Sequence, residues 1–181
     1  MIETIPIGRM LRETTAAPYR NLVTRPTGAA VRTRIEAALA RSTCQTALLD
    51  FSDIELLDFS CADEVVAKLL LADTERGVRF LVLRGLREDQ HEAIDHVLTH
   101  HRLVMVALPG DDHGVPRLLG RIGADARTAF AYVCELGPLG AADLARVLAW
   151  SEARSREALH SLGLHRLVRP DAELYHPLLI T

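Results

Sequence analysis

Over its first 108 residues the chain alternates between short apolar runs and stretches with helical spacing. The stretches carry apolar residues three or four positions apart, as at Val31 and Ile35, Val65 and Leu69, and Ala93 and Val97. The apolar, β-prone runs are TIPIG (4–8), RNLVT (20–24), TALLDFS (46–52), VRFLVLRG (78–85) and LVMVAL (103–108). Strands that alternate with helices of about 10–15 residues predict βαβ units and a mixed, partly parallel sheet, so the predicted fold class is α/β.

After Leu108 the pattern changes. Residues 109–124 are rich in Pro and Gly, which indicates a linker between a domain at 1–108 and a second domain at 125–181. The second domain has three helical stretches, at 125–137, 141–150 and 151–163, and Ser151 is suited to cap the third. The tail HRLVRPDAELYHPLLI predicts two short strands around a Pro-Asp turn. This order of elements predicts a small winged helix-turn-helix domain.

Composition excludes several classes of protein. No apolar run approaches the length of a membrane span, and the N-terminal residues lack the long apolar stretch of a signal peptide, so a cytoplasmic location without membrane contact is expected. Three widely spaced cysteines argue against a disulfide framework. A net charge of −3 gives no global attraction to nucleic acid, so any DNA contact must come from a local patch.

No motif indicates catalysis or a bound cofactor. HEAIDH differs from the zinc-protease motif by one extra residue, and Glu92, His96 and His100 fit a solvated helix face better than a metal site. The Gly-rich segments GDDHG and GRIG match no phosphate-binding motif. We therefore expect a protein that is not an enzyme and that binds neither a cofactor nor a metal.

Ser60 is the residue with the most informative position. It lies where a strand-like run ends and a helix-like run begins at Cys61, and Asp63 follows three residues later. Its hydroxyl could cap the new helix, as in many Ser-x-x-Asp sequences. Alternatively, the serine could act as a switch. The residues alone leave both interpretations open.

The segment LLDFSDIELLDFSCADEVVAKLL resembles the central motif of the STAS domain, the fold of bacterial anti-sigma-factor antagonists. In that family a buried strand ends in Asp-x-Ser at a helix start, and a partner kinase phosphorylates the serine. The resemblance, closest to a divergent STAS-like branch, covers residues 1–108. It implies that Asp58 is the acidic residue and Ser60 the phosphoacceptor, and that the partner is a kinase or an anti-sigma-like regulator.

The segment around Ser60 is acidic. Between positions 50 and 64 there are six carboxylates and no basic residue, so a phosphate on Ser60 is predicted to act by repelling a partner. A thiolate at Cys61 would be disfavoured by the same acids, which favours a buried, inert thiol. The residues predicted to contact the protein partner are Asp53, Asp58, Asp63 and Glu64.

The segment GPLGAADLARVLAWSEARSREALHSLGLHRLVRP resembles the core of a MarR-type winged helix, and the likeness extends over residues 125–177. It implies contacts to double-stranded DNA from the third helix and the wing. The residues concerned are Ser151, Arg154, Arg156, Arg166 and Arg169. Residues 125–181 hold six arginines and seven acids, which argues against DNA binding. The alternative, a winged helix used for protein contacts, therefore stays open. Pairing of two copies as a homodimer would double the basic contacts.

Overall fold

The structure is a computed structural model that describes residues 1–76, 79–110 and 114–178. Its internal contacts divide the chain into two compact units, Met1–Arg121 and Ile122–Thr181, here called unit 1 and unit 2. No helix among the described residues is both long enough and apolar enough to cross a membrane.

Unit 1 is built on a five-stranded mixed sheet with the strand order β1-β3-β5-β6-β7. The first four of these strands are parallel neighbours, and β7 pairs antiparallel with β6. Both β5 and β6 are continuous apolar runs because helices cover the two faces of a parallel sheet. The strands are β1 Ile2–Pro6, β3 Thr46–Asp50, β5 Phe80–Arg84, β6 Val104–Ala107 and β7 Arg117–Gly120.

The helices of unit 1 bury one apolar stripe each. Val31, Ile35 and Leu39 on α2 are buried. Buried apolar residues of the other helices join them and the strand residues in one core. The helices are α1 Ile7–Thr15, α2 Arg25–Arg41, α3 Phe59–Ala62, a π-helical segment Asp63–Lys68, α4 Leu69–Arg76 and α5 Glu88–His100. The α3, π and α4 segments follow one another without a break.

A second, two-stranded parallel sheet lies beside the starts of two helices. It consists of β2 Asn21–Leu22 and β4 Leu56–Leu57. The ladder continues through a hydrogen bond from Asp58 N to the carbonyl of Leu22. Because α2 follows β2 and α3 follows β4 within a few residues, this short sheet brings the two helix starts side by side.

The α/β class and the mixed sheet are confirmed, but three local predictions for unit 1 were incomplete. The run predicted as a strand at 4–8 ends at Pro6, and α1 begins at Ile7 because Ile7 and Leu11 are buried one helical turn apart. The strand β4 was not predicted. The predicted linker at 109–124 contains β7, which extends unit 1 to Arg121. Val78 and residues 111–113 of the GDDHG turn lie outside the described residues.

Unit 2 has three helices followed by a hairpin. Its core includes Val133, Leu144, Leu159 and Leu162, one or two from each helix. Leu139 lies between the first two helices and exchanges backbone hydrogen bonds with Tyr175 of the last strand, 3.0 and 3.3 Å long. The elements are α6 Ala124–Leu136, α7 Ala141–Leu148, α8 Glu152–Leu164, β8 Val168–Asp171 and β9 Leu174–Pro177.

Two local predictions for unit 2, a helix cap and a turn, can be compared with the structure. Ser151 is the N-cap of α8, as predicted, and its hydroxyl accepts a hydrogen bond from Arg154 N at 3.1 Å. The predicted Pro170–Asp171 turn was wrong, because both residues belong to β8 and the chain reverses at Ala172 and Glu173. Ala172 has a φ of 52°, the left-handed conformation that the tight reversal requires.

Candidate functional site

The carboxylate of Asp58 joins the starts of α2 and α3. Its Oδ1 accepts a hydrogen bond from Cys61 N at 2.7 Å, which makes Asp58 the N-cap of α3. Its Oδ2 accepts a hydrogen bond from Thr24 N at 2.9 Å, at the start of α2. We call Asp58 together with Thr24, Ser60 and Cys61 the Asp58 clamp, because one side chain holds two segments 34 positions apart.

The cap predicted at Ser60 is corrected by this geometry. The helix begins at Phe59, so Ser60 is already its second residue and cannot be the N-cap. The Ser60 hydroxyl instead donates a hydrogen bond to Asp58 Oδ1 at 2.8 Å, and the side chain is half-buried. Ser60 therefore supports the residue that caps the helix.

Opposing effects set the pKa of Asp58. Burial raises it, whereas hydrogen bonds from the backbone of Cys61 and Thr24 and from the Ser60 hydroxyl lower it, and the net pKa is below the ordinary 3.8. Burial, followed by the nearby Asp58 charge, raises the pKa of Cys61 to about 12. The Cys61 thiol is thus protonated at neutral pH, in agreement with the expected inert thiol.

Helix α2 approaches α3 closely at the clamp. The Cys61 thiol donates to the carbonyl of Thr24 at 3.0 Å, and Thr24 has a positive φ of 70°. A Cβ on Gly28 would lie 3.0 Å from Cys61 Sγ and 3.1 Å from Cys61 Cα. Gly28 therefore permits a separation between the helices that a larger residue would increase.

Next to the clamp, the π-helical segment carries a buried carboxylate. Glu64 is only 3% exposed, yet its Oε1 accepts hydrogen bonds from Arg25 at 2.8 Å and from Lys68. Arg32 approaches the other oxygen of Glu64 to 3.3 Å. Three cations from two elements thus compensate one buried negative charge, as burial of a carboxylate requires.

Asp63 belongs to the same charge cluster. It accepts hydrogen bonds from Arg25 at 2.8 Å and contacts the His101 ring nitrogen at 2.6 Å. Burial raises the pKa of both Asp63 and Glu64, but hydrogen bonds from Arg25 to Asp63 and from Lys68 to Glu64 outweigh it, so both lie below their ordinary values. We call Asp63, Glu64, Arg25, Arg32, Lys68 and His101 the charge cluster; of these six residues only Glu64 is buried.

The acidic character inferred for the segment 50–64 does not persist in the fold. Five of its six carboxylates pair with cations from elsewhere in the chain, and the sixth, Asp58, accepts three hydrogen bonds. The added pairs are Asp50 with Arg84, Asp53 with Arg12 and Glu55 with Arg20. A phosphate on Ser60 would therefore meet mainly the single charge of Asp58 rather than six unpaired acids.

An exposed apolar patch flanks Ser60. Leu56 and Phe59 are 53% and 54% exposed, although residues of this type are usually buried. The Phe59 ring packs edge to face against His96 of α5, with ring centroids 5.0 Å apart. We call Leu56, Phe59 and His96 the Phe59 patch.

The four predicted partner contacts occupy different environments. Asp53 is exposed in the turn after β3, and Asp58 lies half-buried in the clamp. Asp63 retains partial access to solvent. The prediction for Glu64 needs correction, because a side chain that is 97% buried in ion pairs offers no surface to a partner.

In unit 2, the predicted DNA contact Arg154 is held by two neighbours. Asp125 accepts hydrogen bonds from its Nε at 2.7 Å and its Nη2 at 2.8 Å. The guanidinium also stacks over the Trp150 ring at 4.1 Å from the centroid. Arg154 keeps half of its side chain exposed at the N-terminal end of α8.

The other predicted DNA-contacting arginines lie on α8, directly after it and on β8. Arg156 is exposed and pairs with Glu152 one turn earlier at 2.6 Å. Arg166 follows α8 with a positive φ of 56°, and Arg169 is exposed on β8. Ser155 is fully buried, and its hydroxyl has no hydrogen-bond partner among the described residues.

Several residues of these sites carry no local signal in the sequence. Thr24, Arg25 and His101 join the clamp or the charge cluster from positions 34 to 39 residues distant from their partners. Asp125 reaches Arg154 across 29 positions. The exposure of Phe59 carries no such signal either, because apolar residues such as Leu57 and Cys61 lie on both sides of it in the sequence.

The predicted absence of a metal site stays a prediction. Within the described ranges, no group of three or more His, Cys, Asp or Glu side chains could hold a metal ion. Comparison of the chain with protein-family models, with curated proteins and with solved structures finds no match.

Proposed function

We propose that this chain is a non-enzymatic regulator in which unit 1, a STAS-like domain, binds a protein partner and unit 2, a winged-helix domain, binds duplex DNA. The observation that carries the proposal is the order of elements in unit 2. The order is α6, then Leu139, then α7, α8 and the β8–β9 hairpin. Leu139 forms a β-bridge to Tyr175 of β9, in the place that a third strand of the small sheet would occupy. This order supports a winged helix-turn-helix, which places its third helix in the major groove.

The N-terminal half of α8 supports a role in reading DNA. Recognition helices contact base edges with their first residues, and here Arg154 and Arg156 are exposed in the first two turns. Ser151 exposes its side chain at the helix start and can donate to a phosphate while it caps α8. Arg169 on the hairpin is available for a further phosphate contact.

The test of DNA binding is fluorescence anisotropy with labelled genomic fragments over a series of salt concentrations. We expect binding that weakens as salt rises, because phosphate contacts release counterions. Combined Arg154→Ala and Arg156→Ala substitution should reduce affinity at least tenfold, on the order of 1.4 kcal/mol or more. Absence of binding even at low salt would exclude this part of the proposal.

In unit 1, the Phe59 patch and the adjacent Ser60 support a partner surface. Exposed aromatic and aliphatic side chains at a helix start provide the apolar centre that protein interfaces require. The partner class suggested by the STAS-like sequence is a kinase or an anti-sigma-like regulator. A Phe59→Ala variant should lose the partner in co-purification from the native host, whereas Val115→Ala, at an exposed apolar residue elsewhere in unit 1, should retain it.

Phosphorylation of Ser60 would control this surface through the Asp58 clamp. A phosphate on the Ser60 oxygen would remove the donor to Asp58 Oδ1 and bring two negative charges close to that carboxylate. Repulsion would loosen the cap of α3 next to the Phe59 patch. A Ser60→Asp variant should therefore bind the partner more weakly than Ser60→Ala, and equal binding of the two variants would argue against a switch.

A protein adaptor without DNA binding is the second candidate, favoured by the pairing of arginines in unit 2. Arg146, Arg154 and Arg156 all contact acids of the same unit, so few charges are uncommitted. Unit 2 also exposes Val147 and Leu164, which could contact another protein or a second copy of the chain. A salt-insensitive complex with protein, together with no retention of DNA, would favour this candidate.

A further inference from the structure

Arg154 is fixed in one plane at the start of α8. Asp125 holds the guanidinium from one side through Nε and Nη2, and the Trp150 ring lies under its face. The hydrogen bond with Asp125 raises the pKa of Arg154 and lowers that of Asp125, so both groups are charged at neutral pH. An exposed arginine usually moves among many rotamers, but this one is oriented before any ligand arrives.

The two bonds to Asp125 leave a defined set of donors. A guanidinium carries five N–H groups, and Asp125 uses one on Nε and one on Nη2. The remaining edge presents parallel N–H groups from Nη1 and Nη2, and no described residue accepts a hydrogen bond from Nη1. This edge is a two-donor fork in a half-exposed side chain.

We propose that Arg154 reads a guanine base in the major groove through this edge, and that Asp125 is the residue that positions it. The inference rests on the proposed DNA binding by unit 2. Guanine offers two acceptors side by side, N7 and O6, which match a two-donor fork and no other base edge as well. A phosphate can also accept a bidentate contact from a guanidinium, but it is the same at every base pair and so gives no preference for guanine, which makes sequence preference the quantity to measure.

Asp125 then has two effects of opposite sign. Its negative charge repels the DNA backbone, so it lowers affinity for every sequence. Its hydrogen bonds hold the Arg154 fork in position, so it raises discrimination between guanine and the other bases. A residue with a merely structural role would not separate these two quantities.

The first experiment selects binding sites from a randomised duplex library with the full chain. Wild type should enrich a motif with at least one fixed guanine. Arg154→Ala removes the fork, so it should lose that guanine from the motif while it retains the other positions. Replacing the guanine by 7-deazaguanine, which lacks the N7 acceptor, should weaken wild-type binding roughly tenfold and Arg154→Ala binding little.

The second experiment compares Asp125→Ala with Glu135→Ala on the selected site and on random duplex. Glu135 lies on the same helix and is exposed, so its loss changes the charge of unit 2 equally without contact to Arg154. Both variants should bind random duplex more tightly, but only Asp125→Ala should lose guanine discrimination. Unchanged discrimination in Asp125→Ala, or a guanine retained by Arg154→Ala, overturns the inference and leaves DNA binding standing. Failure of wild type to enrich any sequence overturns both.

Discussion

The two units use ion pairs in different ways. Unit 1 has exposed pairs such as Arg9–Glu13, but its charge cluster surrounds Glu64, which is excluded from water and compensated by cations of α2 and of its own π-helical segment. In unit 2, the pairs of Arg146, Arg154 and Arg156 are all exposed to solvent. Buried charges cannot lose a partner without cost, whereas exposed charges exchange a partner for water. The charges around Glu64 are therefore structural, whereas an exposed pair of unit 2 can exchange its partner for a ligand.

The stabilities of the two units can be measured separately because the chain has one tryptophan, Trp150, in unit 2. Its fluorescence reports the unfolding of unit 2, whereas circular dichroism reports the helices and strands of both units. Urea titrations followed by both signals separate the free energies of unfolding of the two units.

The largest expected effect is that of Glu64→Ala. It leaves Arg25, Lys68 and Arg32 beside a buried space without their shared acid, and we expect unit 1 to lose roughly 2–4 kcal/mol of unfolding free energy. The expected loss of unfolding free energy is smaller than for a pair in which both partners are buried, because the three cations keep part of their hydration. In urea titrations followed by circular dichroism, the transition of unit 1 should move to a lower urea concentration. The transition reported by Trp150 fluorescence should stay where it is.

The control for Glu64 is Glu13→Ala, which removes an acid from an exposed pair with Arg9 on α1. An equal loss of stability in both variants would remove the contrast between buried and exposed pairs.

Asp58→Ala is expected to have the next largest effect. It removes the cap of α3 and the acceptor for Thr24 N, so unit 1 should lose about 2–3 kcal/mol. Asp58→Asn keeps one acceptor oxygen and should fall between wild type and Asp58→Ala. A loss confined to a few tenths of a kcal/mol, measured by urea unfolding, would mean that water replaces both bonds.

Acid should destabilise unit 1 through the same residues. The pKa values of Asp58, Asp63 and Glu64 are lower in the folded chain than their ordinary values of 3.8, 3.8 and 4.5. Their ionised forms therefore stabilise the fold above those values, and this contribution is lost as the pH falls from about 5 through the folded pKa values. The unfolding midpoint of unit 1, followed by circular dichroism, should fall over this range. In Glu64→Gln the fall should be shallower.

Ser60→Ala is expected to have a small effect on stability. The substitution removes one hydrogen bond to Asp58 and leaves both backbone bonds of the clamp, so we expect a loss of about 1 kcal/mol or less. A loss as large as that of Asp58→Ala would assign the cap to the serine after all.

The smallest effect on stability is expected for Asp125→Ala. Its pair with Arg154 is exposed, so the Trp150 transition should move little in urea, although the fluorescence intensity should change as Arg154 becomes mobile over the ring. A clear loss of unit 2 stability would place this pair with the structural charges and end the contrast between the units.

The sequence predicted features that depend on neighbours along the chain. Apolar spacing identified α2, α5 and the strands β3, β5 and β6, since periodicity is a local property. The clamp and the charge cluster could not be predicted, because Thr24, Arg25 and His101 meet Asp58 and Asp63 only after the sheet has formed. The acidity of residues 50–64 misled for the same reason: a count along the chain omits cations that the fold supplies from elsewhere.

The strand β7 determines where unit 1 can be truncated. A fragment that stops at Leu108 would leave β6, four buried apolar residues, as an open sheet edge with unpaired backbone groups. Such an edge is a template for adding strands from other molecules, and the fragment should aggregate. A fragment that ends at Arg121 keeps Arg117–Gly120 paired with β6, so the outer strand is then β7, which begins with the exposed charge of Arg117, and this fragment should aggregate less.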